Sequence, residues 1–551
     1  MQPPTTLDRV LRRGSARGTG TERDYHALAW APGEPRILRD DLVPGGARVP
    51  AGVGDPSSLV FFAHFADAQI VDVQSPGRFE FFEMLNGKPG CNLFYPAARP
   101  QETLAPHALS AFVRTLNRLR ESPDTGSPLA VAISAGDNVD NAQLNELGWF
   151  VALVGGGEVD CRSRGAPYEG VQDPTWDDRT HWHPDAAPDR YRELWGFPDC
   201  PGLLAEALRP FSAEALALPW LSCFGNHDGL ILGNSLPTLA YRDLVVGDRK
   251  PVALPPKFDA VEHAAEFHAA PERFLGGPAR HVAADAARRI VGRREFVEAH
   301  LNAPGRPAGH GYSSASLREG TTYCVHDIDS GRVPIRFVLL DTTNMDGFYE
   351  GSIGRRQLSW LEERLAEVSH RHLDAGGRWV EQPEVCDHLI VLLSHHPLED
   401  LVNACVDQRG LEEDQPRALA AEVEALLHRF PNVVLWLNGH RHVNHVWPRP
   451  DPTARTAGFW EVSTAAIADW PCQARLLELV ANGDDSLSIL STMVDADVPA
   501  DPGEAAGLAR LAAVHRELAA NDPFSGLESF REGGPKDRNV VLPVPAPFSI
   551  P

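Results

Sequence analysis

"LALPWLSCFGNHDG", residues 216 to 229, runs from apolar side chains straight into Asn226, His227 and Asp228. Its first part reads as a strand covered on both faces, because Leu216, Leu218, Trp220, Leu221, Cys223 and Phe224 leave little room for a polar face. Three polar groups at the buried end of such a strand need partners, since each unpaired one costs about 1–3 kcal/mol. Turn chemistry is one answer, because Asn and Asp bond their own main chain and accept left-handed backbone. Holding a ligand is the other.

Five more runs are of the same kind: "LVFFAHFAD" (59–67), "LAVAISAGD" (129–137), "IRFVLLD" (335–341), "HLIVLLSHH" (388–396) and "NVVLWLNGH" (432–440). Between them lie stripes at helical spacing: Leu109, Phe112, Val113, Leu116 and Leu119; Leu358, Leu361, Leu365 and Val368; Leu419, Val423, Leu426 and Phe430. Strands alternating with amphipathic helices predict an α/β fold whose strand ends share one edge. Residues 1–56, rich in Pro, Gly and Arg, read as an irregular leader, 57–495 as the core, and 496–551 as a helix followed by an extended tail. Stretches 155–215 and 230–325 lack apolar strand runs and read as insertions over the active edge.

Five of the strand ends carry metal-ligand residue types: Asp67-Ala68-Gln69, Gly136-Asp137, Gly225-Asn226-His227-Asp228, His395-His396 and Gly439-His440-Arg441-His442. Gly-Asp alone means little, since it recurs at 54–55, 247–248 and 483–484. Gly-His-x-His says more, because two imidazoles two residues apart on an extended segment point the same way.

Taken in order, these pieces resemble the calcineurin-like metallophosphoesterase family, whose pattern runs D-x-H, G-D, G-N-H-[DE], H, G-H-x-H. The resemblance implies a four-layer αββα sandwich with large insertions and two divalent cations at one edge. Carried over, Asp67, Gln69, Asp137 and His442 would bind one cation, and Asp137, Asn226, His395 and His440 the other. His227 would be the general acid, with Asp228 fixing its imidazole. The implied chemistry is hydrolysis of a phosphoric ester, a metal-bridged hydroxide attacking phosphorus in line. The departure is Gln69, where the common pattern has His; a neutral amide oxygen favours Mn²⁺, with iron, zinc and magnesium also open. Related families with Asp-x-Gln include manganese-dependent nucleotide-diphosphate hydrolases, and "ADAQIVDVQSPGRFEFFE" (66–83) resembles a long bacterial subfamily. His64 is an alternative imidazole in place of Gln69.

Composition narrows the partners. The chain has 551 residues, 51 basic and 75 acidic, for a net charge of −24, which disfavours nucleic acid. No apolar run approaches the ~20 residues of a membrane span, and no signal-like apolar stretch follows Arg12 and Arg13, so a cytoplasmic placement without membrane partners is expected. The eight Cys are scattered, without a C-x-x-C pair. The expected substrate is a small phosphorylated metabolite or nucleotide, with Trp176, His181, Trp182 and His183 as candidates to stack on a base or bond a phosphate. The rival reading is a catalytically silent metal-binding scaffold with a regulatory role.

Overall fold

The computed structural model describes residues 2–43, 57–85, 97–176, 179–185, 188–406, 410, 412–483 and 486–550. All six apolar runs form strands, and they divide between two sheets. Ser57–Phe65, Leu129–Ser134 and Trp220–Ser222 run parallel at one side of a seven-stranded sheet. Its remaining strands, in order outward from Ser57–Phe65, are Gln473–Ala481, Ser486–Asp495, Val540–Pro545 and Ile37–Leu38. Pro334–Leu339, Leu389–Leu393 and Val433–Asn438 run parallel within a six-stranded sheet, beside Phe459–Ser463. Cys324–Asp329 and His445–Arg449 are its antiparallel edges.

The near-continuous apolar text follows from burial on both faces. In the six-stranded sheet Phe337, Leu339, Val391, Leu393, Leu435 and Leu437 belong to one core together with Phe62, Leu476 and Leu477 of the other sheet. The rings of Phe62 and Phe337 meet edge to face at 5.2 Å. The alternate residues Val338, Ile390, Leu392 and Trp436 turn the other way and pack with Leu361 and Leu365 of helix Arg355–Ala366 and Val423 and Leu427 of helix Ala420–Leu427. Against the seven-stranded sheet, helix Ala105–Arg118 buries Leu109, Phe112, Val113 and Leu116, and helix Leu144–Gly155 buries Leu147, Phe150 and Leu153. The latter starts in a capping box in which Glu146 accepts from the Gln143 and Asn141 N–H groups.

Two expectations need correction. The leader is not irregular in its described part, residues 2–43: Arg9–Gly18 and Tyr25–Pro32 pair as an antiparallel hairpin, and Ile37–Leu38 joins the large sheet, while 44–56 lie outside the described residues. Its Arg-rich text hid the strands because the charges are paired from the surface, Arg12 with Glu34 and Glu532, Arg13 with Glu528. Within the tail, Val540–Pro545 forms an inner strand between Ser486–Asp495 and Ile37–Leu38. Among the described residues, none of 155–215 lines the cavity at the strand ends; 230–325 does, through Leu232, Asn234 and Phe267. No described helix is long and apolar enough to cross a membrane.

Candidate metal centre

The parallel strands deliver their last residues to one edge of each sheet, and the two edges meet. Asp67 and Gln69 follow Ser57–Phe65, Asp137 follows Leu129–Ser134, and Asn226 follows Trp220–Ser222. From the other sheet come His395 after Leu389–Leu393, and His440 and His442 after Val433–Asn438. Asp67, Asp137 and His395 bring ligand atoms within 4.8 Å of one another, as do His395, His396 and His440. Five of these residues, Asp67, Gln69, Asp137, His440 and His442, hold positive φ between 42° and 67°. Such backbone costs of order 1–3 kcal/mol per residue and persists where the surroundings impose it.

The glycines of the motifs are explained by close approach. A Cβ on Gly439 would stand 2.5 Å from Asp67 Oδ2, and one on Gly225 would collide with Asp137 Oδ1. Asp67 Oδ2 accepts the His440 backbone N–H at 3.1 Å, and Asp137 Oδ1 accepts that of His227 at 2.8 Å.

Each imidazole is aimed by its other nitrogen. His395 Nδ1 meets the Ala135 carbonyl at 3.0 Å, leaving Nε2 3.1 Å from Asp137 Oδ2 and 3.2 Å from His440 Nδ1. His442 Nδ1 meets Asp469 Oδ2 at 2.6 Å, leaving Nε2 3.3 Å from Asp67 Oδ1. With the ring proton on Nδ1, that last pair is two acceptors facing each other, which only a cation or a second proton reconciles. The titration behaviour agrees. Burial pushes the His395 imidazole down, but the Asp137 carboxylate outweighs it and holds the pKa at about 9. At His442 burial likewise pushes down, and Asp67 and Asp469 overcome it to raise the pKa.

The donor set fits a metal. Asp67 Oδ1, Gln69 Oε1 and Asn226 Oδ1 are buried and accept no hydrogen bond from a described residue. Asn226 is held with its oxygen free because Nδ2 donates to the Gly233 carbonyl at 2.8 Å. Three orphaned oxygens in one site would each cost about 1–3 kcal/mol without a ligand.

Several expected roles change. Asp228 does not orient His227. It lies in a turn and accepts from the Asn138, Val139 and Gly225 N–H groups and the Asn138 amide, which fixes the GNHD loop to the Gly-Asp loop. His227 Nδ1 instead meets the Asp140 carbonyl at 2.6 Å, and Nε2 lies 3.9 Å from Asp137 Oδ2. His396 sits in the cluster but spends both nitrogens, Nδ1 on Thr342 Oγ1 at 2.7 Å and Nε2 on the Tyr349 carbonyl at 2.9 Å. His64 is not among the converging ligands: its Nδ1 is on Thr464 Oγ1 at 2.8 Å, and burial pushes its pKa down to about 3. None of Trp176, His181, Trp182 and His183 lines the cavity. Trp182 packs edge to face on Phe197, Trp176 lies under Arg280, and His181 and His183 bond the Glu80 and Gln172 carbonyls.

A cavity of about 400 Å³ opens over Gln69, Asp137, Asn226, His227, His440 and His442. Its other walls are Phe82, Phe267 and Tyr349 and the guanidinium groups of Arg78, Arg99, Arg441 and Arg531. Arg78 and Arg99 are tied to Asp140, the residue whose carbonyl holds His227, at 2.6 and 3.6 Å. Arg99, Arg531 and Asp469 lie in no motif, and although Arg78 and Arg441 fall within quoted stretches, nothing in their spacing pointed to this cavity.

No family model matches the chain. Over 107 residues, 19% of this chain, it is 31% identical to the 3',5'-cyclic adenosine monophosphate phosphodiesterase CpdA of Escherichia coli strain K12, and equally to that of Escherichia coli O157:H7. The match spans 30% of the length of those relatives. This partial similarity supports the metallophosphoesterase superfamily that the motif order resembles.

Proposed function

We propose that this chain is a phosphoric ester hydrolase with a binuclear divalent metal centre, acting on a small phosphorylated metabolite or nucleotide. In this reading Asp67, Gln69, Asp137 and His442 hold one cation, and Asp137, Asn226, His395 and His440 hold the other. The two facing sheets with helices on their outer faces are then the αββα sandwich of the resemblance. The observation that carries the reading is the pair of buried oxygens on Gln69 and Asn226 with no hydrogen-bond partner among the described residues, in the same cavity as imidazoles already aimed by other bonds.

When bound, two such cations supply Lewis acidity toward phosphoryl oxygens and a nucleophile at neutral pH. The chain's own residues do the rest. His227, with Nδ1–H on the Asp140 carbonyl, presents Nε2 to the cavity and holds there the proton that a leaving alkoxide needs. Arg78, Arg99, Arg441 and Arg531 put positive charge beside the cavity, although the forks of Arg78 and Arg441 are spent on Asp140 and Glu102 and on Asp400 and Glu399. Phe82, Phe267 and Tyr349 offer apolar surface to the remainder of a substrate. The donor oxygens favour Mn²⁺. The phosphodiesterase name of the relatives points the same way, and a diester of a nucleotide is the first class to try.

The test is hydrolysis of p-nitrophenyl phosphate and bis(p-nitrophenyl) phosphate by chelator-treated protein with added Mn²⁺. Turnover of either ester, lowered about 10²- to 10⁴-fold in His227→Ala with metal content unchanged, is the expected result. Metal binding without turnover of either ester would favour the silent scaffold.

A further inference from the structure

We propose that Asp469 is a positioning residue of this centre, which fixes the His442 ring with Nε2 toward Asp67, holds Arg99 and, through Arg531, makes the C-terminal segment part of the site. The inference rests on the metal-dependent hydrolase reading and deepens it.

Asp469 is fully buried in the crossover that leaves the six-stranded sheet after Phe459–Ser463 and enters the other sheet at Gln473–Ala481. The same crossover is zipped to the Asp67 segment: Ile467 N–H donates to the Ala66 carbonyl at 3.0 Å and Ala468 N–H to the Asp67 carbonyl at 3.1 Å. Asp469 is therefore placed by the backbone that places a metal-ligand candidate. Its Oδ2 accepts from His442 Nδ1 and from Arg531 Nη1, both at 2.6 Å. Its Oδ1 lies 2.8 Å from Arg99 Nε and 3.4 Å from Gln101 Nε2.

A structural ion pair needs one cation. Asp469 takes two guanidinium groups and an imidazole, and Arg99, Arg531 and His442 all line the same cavity. Arg531 comes from the far end of the chain, and its carbonyl accepts the backbone N–H of Asn444, two residues beyond His442, at 3.0 Å. One carboxylate thus sets a ring tautomer and the direction of two guanidinium forks. A carboxylate on the outer nitrogen of a ligating His keeps the proton on that nitrogen and the lone pair on the other, and its loss typically costs 10- to 100-fold in metal affinity. An amide in its place can donate to Nδ1 and turn the ring proton toward Asp67.

The test is titration of Mn²⁺ into chelator-treated wild type, Asp469→Asn, Asp469→Glu, His442→Ala and the Asp469→Asn/His442→Ala double variant, with thermal unfolding of each. Asp469→Asn is expected to weaken one Mn²⁺ site about 10- to 100-fold, and Asp469→Glu less, because a carboxylate remains. In the His442→Ala background Asp469→Asn should change affinity by no more than about twofold, as expected when one residue acts through the other. Arg531→Ala should leave Mn²⁺ affinity unchanged and raise KM for the ester that wild type hydrolyses. Wild-type Mn²⁺ affinity in folded Asp469→Asn, an equal loss in both backgrounds, or Asp469→Glu binding more weakly than Asp469→Asn would overturn the role through His442. Unchanged KM in Arg531→Ala would overturn the part given to the C-terminal segment. Failure of wild type to bind Mn²⁺ would overturn the metal reading itself.

Discussion

Gly439→Ala is expected to weaken Mn²⁺ binding about 10- to 100-fold while leaving the chain folded. The new Cβ would lie 2.5 Å from Asp67 Oδ2 and 2.7 Å from the Ala66 Cβ, inside the 3.0 Å below which such contacts are essentially never seen. No positive φ at Gly439 adds backbone strain, so the effect is steric. Either the Asp67 carboxylate or the loop bearing His440 must give way by half an ångström or more. In both cases Oδ2 gives up the His440 N–H that it accepts at 3.1 Å. A hydrogen bond to a charged group is worth about 1.5–3 kcal/mol, which at about 1.4 kcal/mol per decade gives the quoted loss. The assay is calorimetric titration of Mn²⁺ into chelator-treated protein, with thermal unfolding alongside. Gly148→Ala is the control: it sits exposed in helix Leu144–Gly155, where an added methyl would meet nothing within 4 Å, and should stabilise by about 0.8–1 kcal/mol without touching Mn²⁺ binding. Wild-type affinity in Gly439→Ala would refute the reasoning, because Asp67 would then not be a ligand held by that contact.

Asn226→Ala should lower the Mn²⁺ bound from about two per chain to about one, measured by elemental analysis after desalting, since the orphaned Oδ1 is its donor. Metal affinity should rise with pH. Burial lowers the His395 pKa, but Asp137 outweighs it and holds it at about 9, so below that pH a bound proton competes with the cation. The apparent Mn²⁺ affinity should therefore climb about tenfold per pH unit from 7 and flatten above about 9, with proton release seen by calorimetry in buffers of different ionisation enthalpy. A flat profile would count against His395 as a ligand. Leu392→Ala, in the core between the six-stranded sheet and helix Arg355–Ala366, should cost about 2–5 kcal/mol by denaturant unfolding and leave Mn²⁺ affinity alone.

The parts of the molecule legible in the sequence are those where one physical demand dominates. Strands such as Leu389–Leu393, buried on both faces, have no choice but to be apolar, and helix Arg355–Ala366 shows its stripe because one face is wet. Candidate ligand residues were visible because parallel strands put them at the same point of each run. What stayed hidden depends on direction or on distant partners. Asp228 follows His227 in the chain, yet its carboxylate turns back to the Asn138 loop, which no spacing reveals. Asp469, Arg99 and Arg531 meet across more than 400 residues without a motif, each ionic because the others are. The N-terminal hairpin was masked by arginines whose partners lie at residues 528 and 532.

The most direct test of the binuclear reading is the metal content of chelator-treated protein reloaded with Mn²⁺ and desalted. About two Mn²⁺ per chain, with at most one left in Asn226→Ala, is what the orphaned oxygens and aimed imidazoles require. One or none in the wild type would contradict it.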